Sequence, residues 1–355
     1  MKEVSAQRNV NAEQSCKVTV SGADAEGFSL NRNDMLLKAA LDQGIDYPHN
    51  CRVGVCGQCK TKLLSGKVTP MVDLALSPLT NAEIEEGYFL ACQGKVRGDI
   101  DIQVKLGQHH VVPEQQVAGR VSLWKKLPGE VVELRIKLER PFQYEAGQYG
   151  FLAESGSFVR RCFSFSDAPP VELGVGASEL GFLIKRLPGG QFSEWLFKED
   201  RTDVKMWLHG PYGVMGVDDV DVDGLCVAGG TGLAPVLSIL EQRLSNSKQA
   251  KFTVIFGVKS EGELFAMDKL NALETAFPGR LNIIPILSHE PQDSSWAGAR
   301  GLVTEPINEQ LDVDYSKIAA FICGGLPMVN AVEAKLIAMG MDPGRIHADK
   351  FMPTG

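Results

Sequence analysis

Three regimes of hydrophobic and polar positions succeed one another along the chain. Up to about residue 105 the pattern is mixed. There "SLNRNDMLLKAALDQG" sets Leu36, Leu37, Ala40 and Leu41 at helical spacing, with Asn33 or Asp34 as the cap and Gly44 as the stop. In "SPLTNAEIEEG" Thr80 and Glu83 have the spacing of a capping box, which predicts a second short helix. "DIDIQV" alternates as a strand that ends near Val104. Residues 106–116 then carry neither period and contain Pro113, so they read as a linker.

From there to about Met215 the pattern has the period of strands. "EVVELRIKL" puts Val132, Leu134, Ile136 and Leu138 on one face and Glu133, Arg135 and Lys137 on the other. "AGQYGFL", "RRCFSFS", "GFLIKR" and "VKMWLHG" are further short strands divided by Gly and Pro, with a single helix over 192–199. Short strands with one helix predict an antiparallel β-barrel. The last third changes again. "GLCVAGG", "FTVIFG", "LNIIPIL" and "IAAFICGG" are continuous apolar runs that alternate with helical patterns near 233–245, 265–277 and 328–339. Alternation of this kind predicts an α/β domain around a buried parallel sheet. The expected division is 1–107, a linker at 108–116, 117–216 and 217–355.

Composition changes this picture in two places. The chain has 355 residues and a net charge of −8, which argues against a nucleic-acid partner because phosphate neutralisation needs a basic face. The polar start "MKEVSAQRNV" does not read as a secretory leader, and no run approaches ~20 apolar residues, so no spanning helix is expected. Eight cysteines in such a chain point to a reducing cytoplasm, where thiols serve as metal ligands or small buried hydrophobes.

Three of those cysteines crowd into "PHNCRVGVCGQCKTKL". Cys51, Cys56 and Cys59 follow C-x4-C-x2-C, and Cys92 waits in "FLACQGKV". That is the ligand spacing of a plant-type [2Fe–2S] cluster, with Gly54 and Gly57 letting backbone approach the sulfurs. A zinc site would want paired C-x2-C knuckles, and only Cys56 and Cys59 form one. Cys16, Cys162 and Cys226 lie in or beside apolar strands and read as structural.

A second chemistry lies further on. "LCVAGGTGLAPVLSIL" runs from an apolar strand through Gly229, Gly230 and Gly232 into a helix with Pro235 in its first turn. Strand, glycine turn and helix N-terminus together suit a pyrophosphate, although the spacing is not G-x-G-x-x-G. In "RRCFSFS" Arg161 offers a fork for a phosphate, Phe163 a face for a flat ring and Ser164 a hydroxyl for a ring atom. In "LPGGQFSEWLF" Gly190 and Ser193 sit at a helix start. The residues alone also allow an exposed Arg on a strand and a routine Ser cap.

These motifs, in this order, resemble the iron–sulfur flavoprotein reductases of bacterial oxygenases, in which a plant-type ferredoxin precedes a ferredoxin–NADP reductase-like module. "PHNCRVGVCGQCKTKL", "LPGGQFSEWLF", "VAGGTGLAP", "SSWAGARGLVTE" and "ADKF" carry the likeness over nearly the whole chain. The resemblance implies a β-grasp ferredoxin domain, a β-barrel FAD domain and a parallel-sheet NAD domain. It implies Arg161 on the flavin pyrophosphate, Cys162 between them in the motif, Phe163 against the isoalloxazine and Ser164 near its reactive N5, with Gly190 and Ser193 at a second phosphate that favours FAD. It places Gly230, Thr231, Gly232 and Pro235 on the NADH pyrophosphate, and Cys323 and Gly324 of "FICGGLPM" near the nicotinamide. Gly325 and Leu326 stand where relatives have prolines. In "HADKF" Asp349 stands where many relatives carry Glu, and Phe351 where an aromatic shields the flavin. Ser164, Cys323 and Asp349 are thereby the expected catalytic residues.

The activity implied is hydride transfer from NADH to FAD, then single electrons through the [2Fe–2S] cluster to an oxygenase. NADH is favoured over NADPH because "FGVKSEGEL" sets Glu261 and Glu263 beside Lys259. The implied partner is a membrane-embedded hydroxylase, a soluble Rieske or di-iron component, or in similar chains a deoxysugar radical dehydrase. The location is cytoplasmic, or peripheral at the inner face of the membrane through that partner. Glu83, Glu85, Glu86, Asp99 and Asp101 form an acidic face that either steers a basic partner or is merely solvated. A non-catalytic metal-binding adaptor is the reading from another class.

Overall fold

The structure is a computed structural model. It describes residues 15–21, 27–49, 52, 54, 57–71, 78–107, 112–172, 174–213, 215 and 221–351. The chain forms two compact units, Met1–Pro113 and Glu114–Gly355.

The first unit is built from β1 (Ser15–Val20), β2 (Phe28–Asn31), α1 (Leu36–Leu41), β3 (Lys60–Ser65), β4 (Val68–Pro70), α2 (Asn81–Glu85), β5 (Tyr88–Leu90), β6 (Gly94–Val96) and β7 (Ile100–Gln103). Five strands form one mixed sheet in the order β2-β1-β7-β3-β5, and β4 pairs with β6. In β1 the alternation is strict: Cys16, Val18 and Val20 are buried while their neighbours are exposed. Those side chains pack with Leu36, Leu37 and Ala40 of α1 and with Tyr47, which has no exposed surface.

Two helix starts repay comparison. At α2 the capping box is present: Thr80 Oγ accepts from the Glu83 N–H, and the Glu83 carboxylate accepts from the Thr80 N–H. At α1 neither expected cap serves. The N-cap is Met35, without a side-chain bond. Asn33 has a left-handed backbone at φ 74°, and the Asp34 carboxylate turns back to accept from the Asn31 N–H at 3.2 Å. An Asx residue that finds a turn partner before the helix is lost to the helix.

The second unit begins with β8 (Gln115–Leu127), β9 (Val131–Phe142), β10 (Tyr149–Glu154), β11 (Arg160–Ser164), β12 (Ala177–Lys185), α3 (Gln191–Lys198) and β13 (Lys205–Tyr212). Gln115 and Gln116, expected in the linker, therefore belong to β8. The six strands form an antiparallel sheet in the order β11-β10-β13-β8-β9-β12. It curls until the Ser166 N–H, just past β11, donates to Gly181 O of β12 at 2.9 Å. The β9 alternation needs one correction. Glu133, expected outside, is only 8% exposed and accepts from Lys269 Nζ at 2.7 Å. The outward face of this strand is covered by the start of a helix from the last third, so its polar position is paired rather than solvated.

That last third comprises β14 (Gly224–Gly229), α4 (Leu233–Asn246), β15 (Phe252–Val258), α5 (Met267–Ala276), β16 (Leu281–Leu287), β17 (Ala299–Arg300), β18 (Ala319–Gly325), α6 (Leu326–Ala338) and β19 (Ile346–Phe351). All six strands run parallel, in the order β17-β16-β15-β14-β18-β19. Cys226, Ala228, Val254, Phe256 and Phe321 pack on the side of α4, whereas Leu225, Val227, Ile255 and Ile322 pack on the side of α6. With both faces buried, alternation disappears and the strands read as continuous apolar runs.

Candidate redox and nucleotide sites

Two of the four expected cluster ligands, Cys51 and Cys56, lie outside the described residues. The other two are brought together by a strand ladder. β3 pairs with β5 through Lys60 and Leu90. One step further along, the Ala91 N–H donates to Cys59 O at 3.0 Å, and the Cys92 N–H then points at Cys59 Sγ at 3.5 Å. Both side chains are buried, at 3% and 8% exposure. A backbone N–H aimed at a buried sulfur favours the thiolate form that an iron cluster requires.

The loop before them has the backbone such a group demands. Arg52, Gly54 and Gly57 all take positive φ, at 56°, 87° and 78°. A Cβ on Gly54 would stand 2.8 Å from Gln93 Cγ, whereas one on Gly57 would meet nothing closer than 3.5 Å. Gly54 is thus needed for space and handedness, Gly57 for handedness alone. Beneath the loop the buried Tyr47 hydroxyl meets Thr61 Oγ1 at 2.5 Å, and Thr61 Oγ1 donates to Cys59 O. Burial raises the Tyr47 pKa far above its usual value, so the phenol remains a neutral prop.

The acidic face has more local employment. Glu83 takes the α2 cap and Lys60 Nζ at 2.6 Å, Asp99 accepts from the Lys17 N–H at 2.8 Å, and Asp101 accepts from Ser65 at 2.5 Å.

In the second unit, β11 is an edge strand of the barrel sheet. Its alternation leaves Arg160 and Cys162 exposed and puts the half-buried Arg161 and Phe163 on the other face. Cys162 is therefore not the structural core residue expected of it, because the alternation of the strand turns it to the exposed face. Phe163 packs on Phe192 of α3 with centroids 5.2 Å apart. Ser193 is buried at 7% exposure, and its hydroxyl accepts from the Leu187 N–H at 3.0 Å. That bond holds the "LPGG" turn, so the hydroxyl is spent on the loop, and the Gly190 start of α3 offers backbone rather than a side chain.

The glycine turn after β14 is a tight 3-10 segment, Gly230–Gly232, leading into α4. A Cβ on Gly232 would lie 2.2 Å from Cys323 O, and one on Gly229 would lie 2.4 Å from Met328 Sδ. Gly230 has φ 54° and open space around it. The turn is therefore a bare backbone cradle pressed against the end of β18, with Thr231 at its crest and Pro235 buried in the first turn of α4. It fits a pyrophosphate, which needs close approach to N–H groups at a helix start.

Three expected catalytic residues meet beside it. β18 and β19 pair in register at Cys323 and Asp349, then Gly324 with Lys350 and Gly325 with Phe351. Asp349 is buried to 9% exposure and stands 3.4 Å from Ser164 Oγ at the end of β11. Lys350 Nζ, pointing the other way, binds Glu333 of α6 at 2.7 Å and fixes the strand. Cys323 is fully buried; burial, then the nearby Asp349 charge, raise its pKa well above 9.0. It is a neutral thiol, and its sulfur meets Met215 Sδ at 3.5 Å. Met215 went unnoticed in the sequence, where an isolated Met in a loop carries no signal. Phe351 remains half-buried at the end of β19.

Comparison with known proteins settles the lineage. Residues 18–97 match the 2Fe-2S iron-sulfur cluster binding domain, and residues 226–334 match the oxidoreductase NAD-binding domain. The chain is 35% identical to the xylene/toluene monooxygenase electron transfer component of Pseudomonas putida, covering 91% of this chain and 90% of that one. The chain belongs to the iron–sulfur flavoprotein reductases of bacterial oxygenases. The chain is also similar to the CDP-6-deoxy-L-threo-D-glycero-4-hexulose-3-dehydrase reductase of Yersinia pseudotuberculosis, at 30% identity over 92% of this chain and 96% of that one. The cytochrome P450 reductase of Amycolatopsis superposes with a TM-score of 0.77 at 26% identity, covering 95% of this chain and 99% of that one. In reductases of this family the two matched domains supply a cluster site and an NAD site, with a flavin barrel between them in sequence. Among the described residues no helix is long and apolar enough to cross a membrane.

Proposed function

We propose that this chain is the NADH-dependent reductase that feeds electrons to an oxygenase, using FAD and a [2Fe–2S] cluster held by Cys51, Cys56, Cys59 and Cys92. Flavin accepts an electron pair as hydride and releases it singly, which is the conversion between a nicotinamide and an iron–sulfur centre. The observation that carries the reading is the meeting of Ser164, Cys323 and Asp349 from three strands of two sheets. Their work is local. Gly230–Gly232 seats the NADH pyrophosphate, and the neutral Cys323 thiol packs beside the nicotinamide without adding charge. Ser164 offers its hydroxyl at the flavin edge, with Asp349 orienting it. Arg161 takes the flavin pyrophosphate and Phe163 the ring face.

The partner we propose is an aromatic-hydrocarbon monooxygenase component embedded in a membrane, with this chain peripheral to it in the cytoplasm. The support is the 35% identity to a xylene/toluene monooxygenase component, against 30% for the dehydrase reductase. The experiment has two parts. Anaerobic NADH should bleach both flavin and cluster absorbance; a colourless, zinc-loaded protein would sink the reductase. Immobilised holoprotein should then retain a histidine-rich membrane hydroxylase from solubilised membranes. Retention of a soluble Rieske or di-iron subunit instead would reassign the partner.

A further inference from the structure

We propose that Glu290 makes the nucleotide site select NADH over NADPH. The inference rests on the reductase reading above and deepens it.

Strand order fixes where the two ends of a dinucleotide lie. The pyrophosphate cradle follows β14, and Cys323, on the nicotinamide side, ends β18. β18 flanks β14 on one side and β15 on the other, followed by β16. With the nicotinamide toward β18, the adenosine ribose extends the opposite way, across the carboxyl ends of β15 and β16. Gly229, which opens the cradle, is in register with Gly257 of β15, so that ribose meets the residues just past Val258.

Glu290 is clamped over that point. Past the end of β16 the Ser288 N–H donates to Val258 O at 3.0 Å and the His289 N–H to Lys259 O at 2.7 Å. This carries Glu290 alongside the turn after β15, where its carboxylate accepts from the Glu261 N–H at 2.8 Å. That bond, with help from the Ser294 hydroxyl and the Arg300 charge, keeps the Glu290 pKa below its usual value. The carboxylate is ionised at neutral pH and tied to the turn by the Glu261 N–H.

The charges around it are mixed. Arg300 donates to Ser294 Oγ at 3.0 Å and its charge reaches Glu290, Glu263 is taken by Lys185 at 3.2 Å, and Glu261 adds a second, exposed carboxylate. Lys259 is exposed and is the nearby cation in the sequence of this turn. A fixed carboxylate accepts a hydrogen bond from a ribose 2′-hydroxyl and repels a 2′-phosphate. NADH has the first group and NADPH the second.

The test compares kcat/KM for NADH and NADPH in the holoenzyme, with ferricyanide as electron acceptor. Glu290→Gln removes the charge but retains an oxygen for the Glu261 N–H, so the turn keeps its clamp. The expected result is a fall in the NADH:NADPH ratio of about fivefold or more, chiefly through a rise with NADPH. Glu290→Ala should give a similar ratio. An unchanged ratio in Glu290→Gln, a change seen with Ala alone, or a wild type that prefers NADPH overturns the proposal. A wild type reduced by neither nucleotide overturns the reductase reading, and this inference with it.

Discussion

Ser164 Oγ and the Asp349 carboxylate stand 3.4 Å apart, one ending a barrel edge strand and the other in the last parallel strand. A bond of this length is loose, as such bonds often are before substrate arrives. Ser164→Ala should slow anaerobic flavin reduction by NADH about ten- to hundredfold in a stopped-flow trace. Asp349→Asn should slow it less, and the double variant should lose little more than Ser164→Ala alone, since the two act as one unit. Fully additive losses would show that the pair is not coupled.

The cluster ligands lie in a unit of their own by chain contacts, Met1–Pro113. Cys59→Ser or Cys92→Ser should therefore abolish cluster absorbance and bound iron. NADH-dependent ferricyanide reduction, which needs only the second unit, should persist. Loss of both together would contradict the assignment.

The two neighbouring glycines of the cradle should respond differently. Gly232→Ala drives a methyl toward Cys323 O, only 2.2 Å from its ideal position, and should destabilise by about 1–3 kcal/mol. Gly230→Ala meets open space but must hold φ 54°, which costs about 1–2 kcal/mol. Thermal unfolding will rank them. NADH affinity should fall in Gly232→Ala because the cradle moves; a normal KM there would remove the turn from the nucleotide site.

Glu83 carries a pH signature. Its Lys60 partner and the Thr80 cap lower its pKa from 4.5 to about 2. A depressed carboxylate stabilises the fold above its unfolded pKa, and that contribution disappears as pH falls through the folded value. Acid unfolding of the first unit should therefore lose one protonation-linked step between about pH 4.5 and 2 when Glu83 becomes Gln. The group is exposed, so the effect on stability should be small. A Glu83→Gln curve superimposing on wild type would leave the cap without an electrostatic part.

Cys162 and Cys323 divide by burial. The exposed Cys162 should alkylate in the native protein, whereas the buried Cys323 should resist until the chain unfolds. Mass mapping after a short iodoacetamide pulse reads both.

Much of this molecule was legible in one dimension because local chemistry repeats at fixed spacing. The Thr80–Glu83 cap needs only three residues of helix, and the runs of β14, β15 and β18 are apolar because both faces of a parallel sheet are covered. Cysteine spacing, the glycine turn and the order of the motifs likewise survive without coordinates. Tertiary structure decided what depends on neighbours distant in sequence. Asp34 looked like a helix cap, yet a turn partner at Asn31 claimed it. Glu133 and Cys162 each sat at a position whose period was right and whose surroundings were not: Lys269 covers the first, and the second lies on the uncovered face of its strand. Ser193 was spent on its own loop, and Met215 came to touch Cys323 from 108 residues away. Periodicity is a property of the backbone and is written along the chain. Which charge is paired, and which face is buried, depends on how the elements pack, and that exists only once the chain has folded.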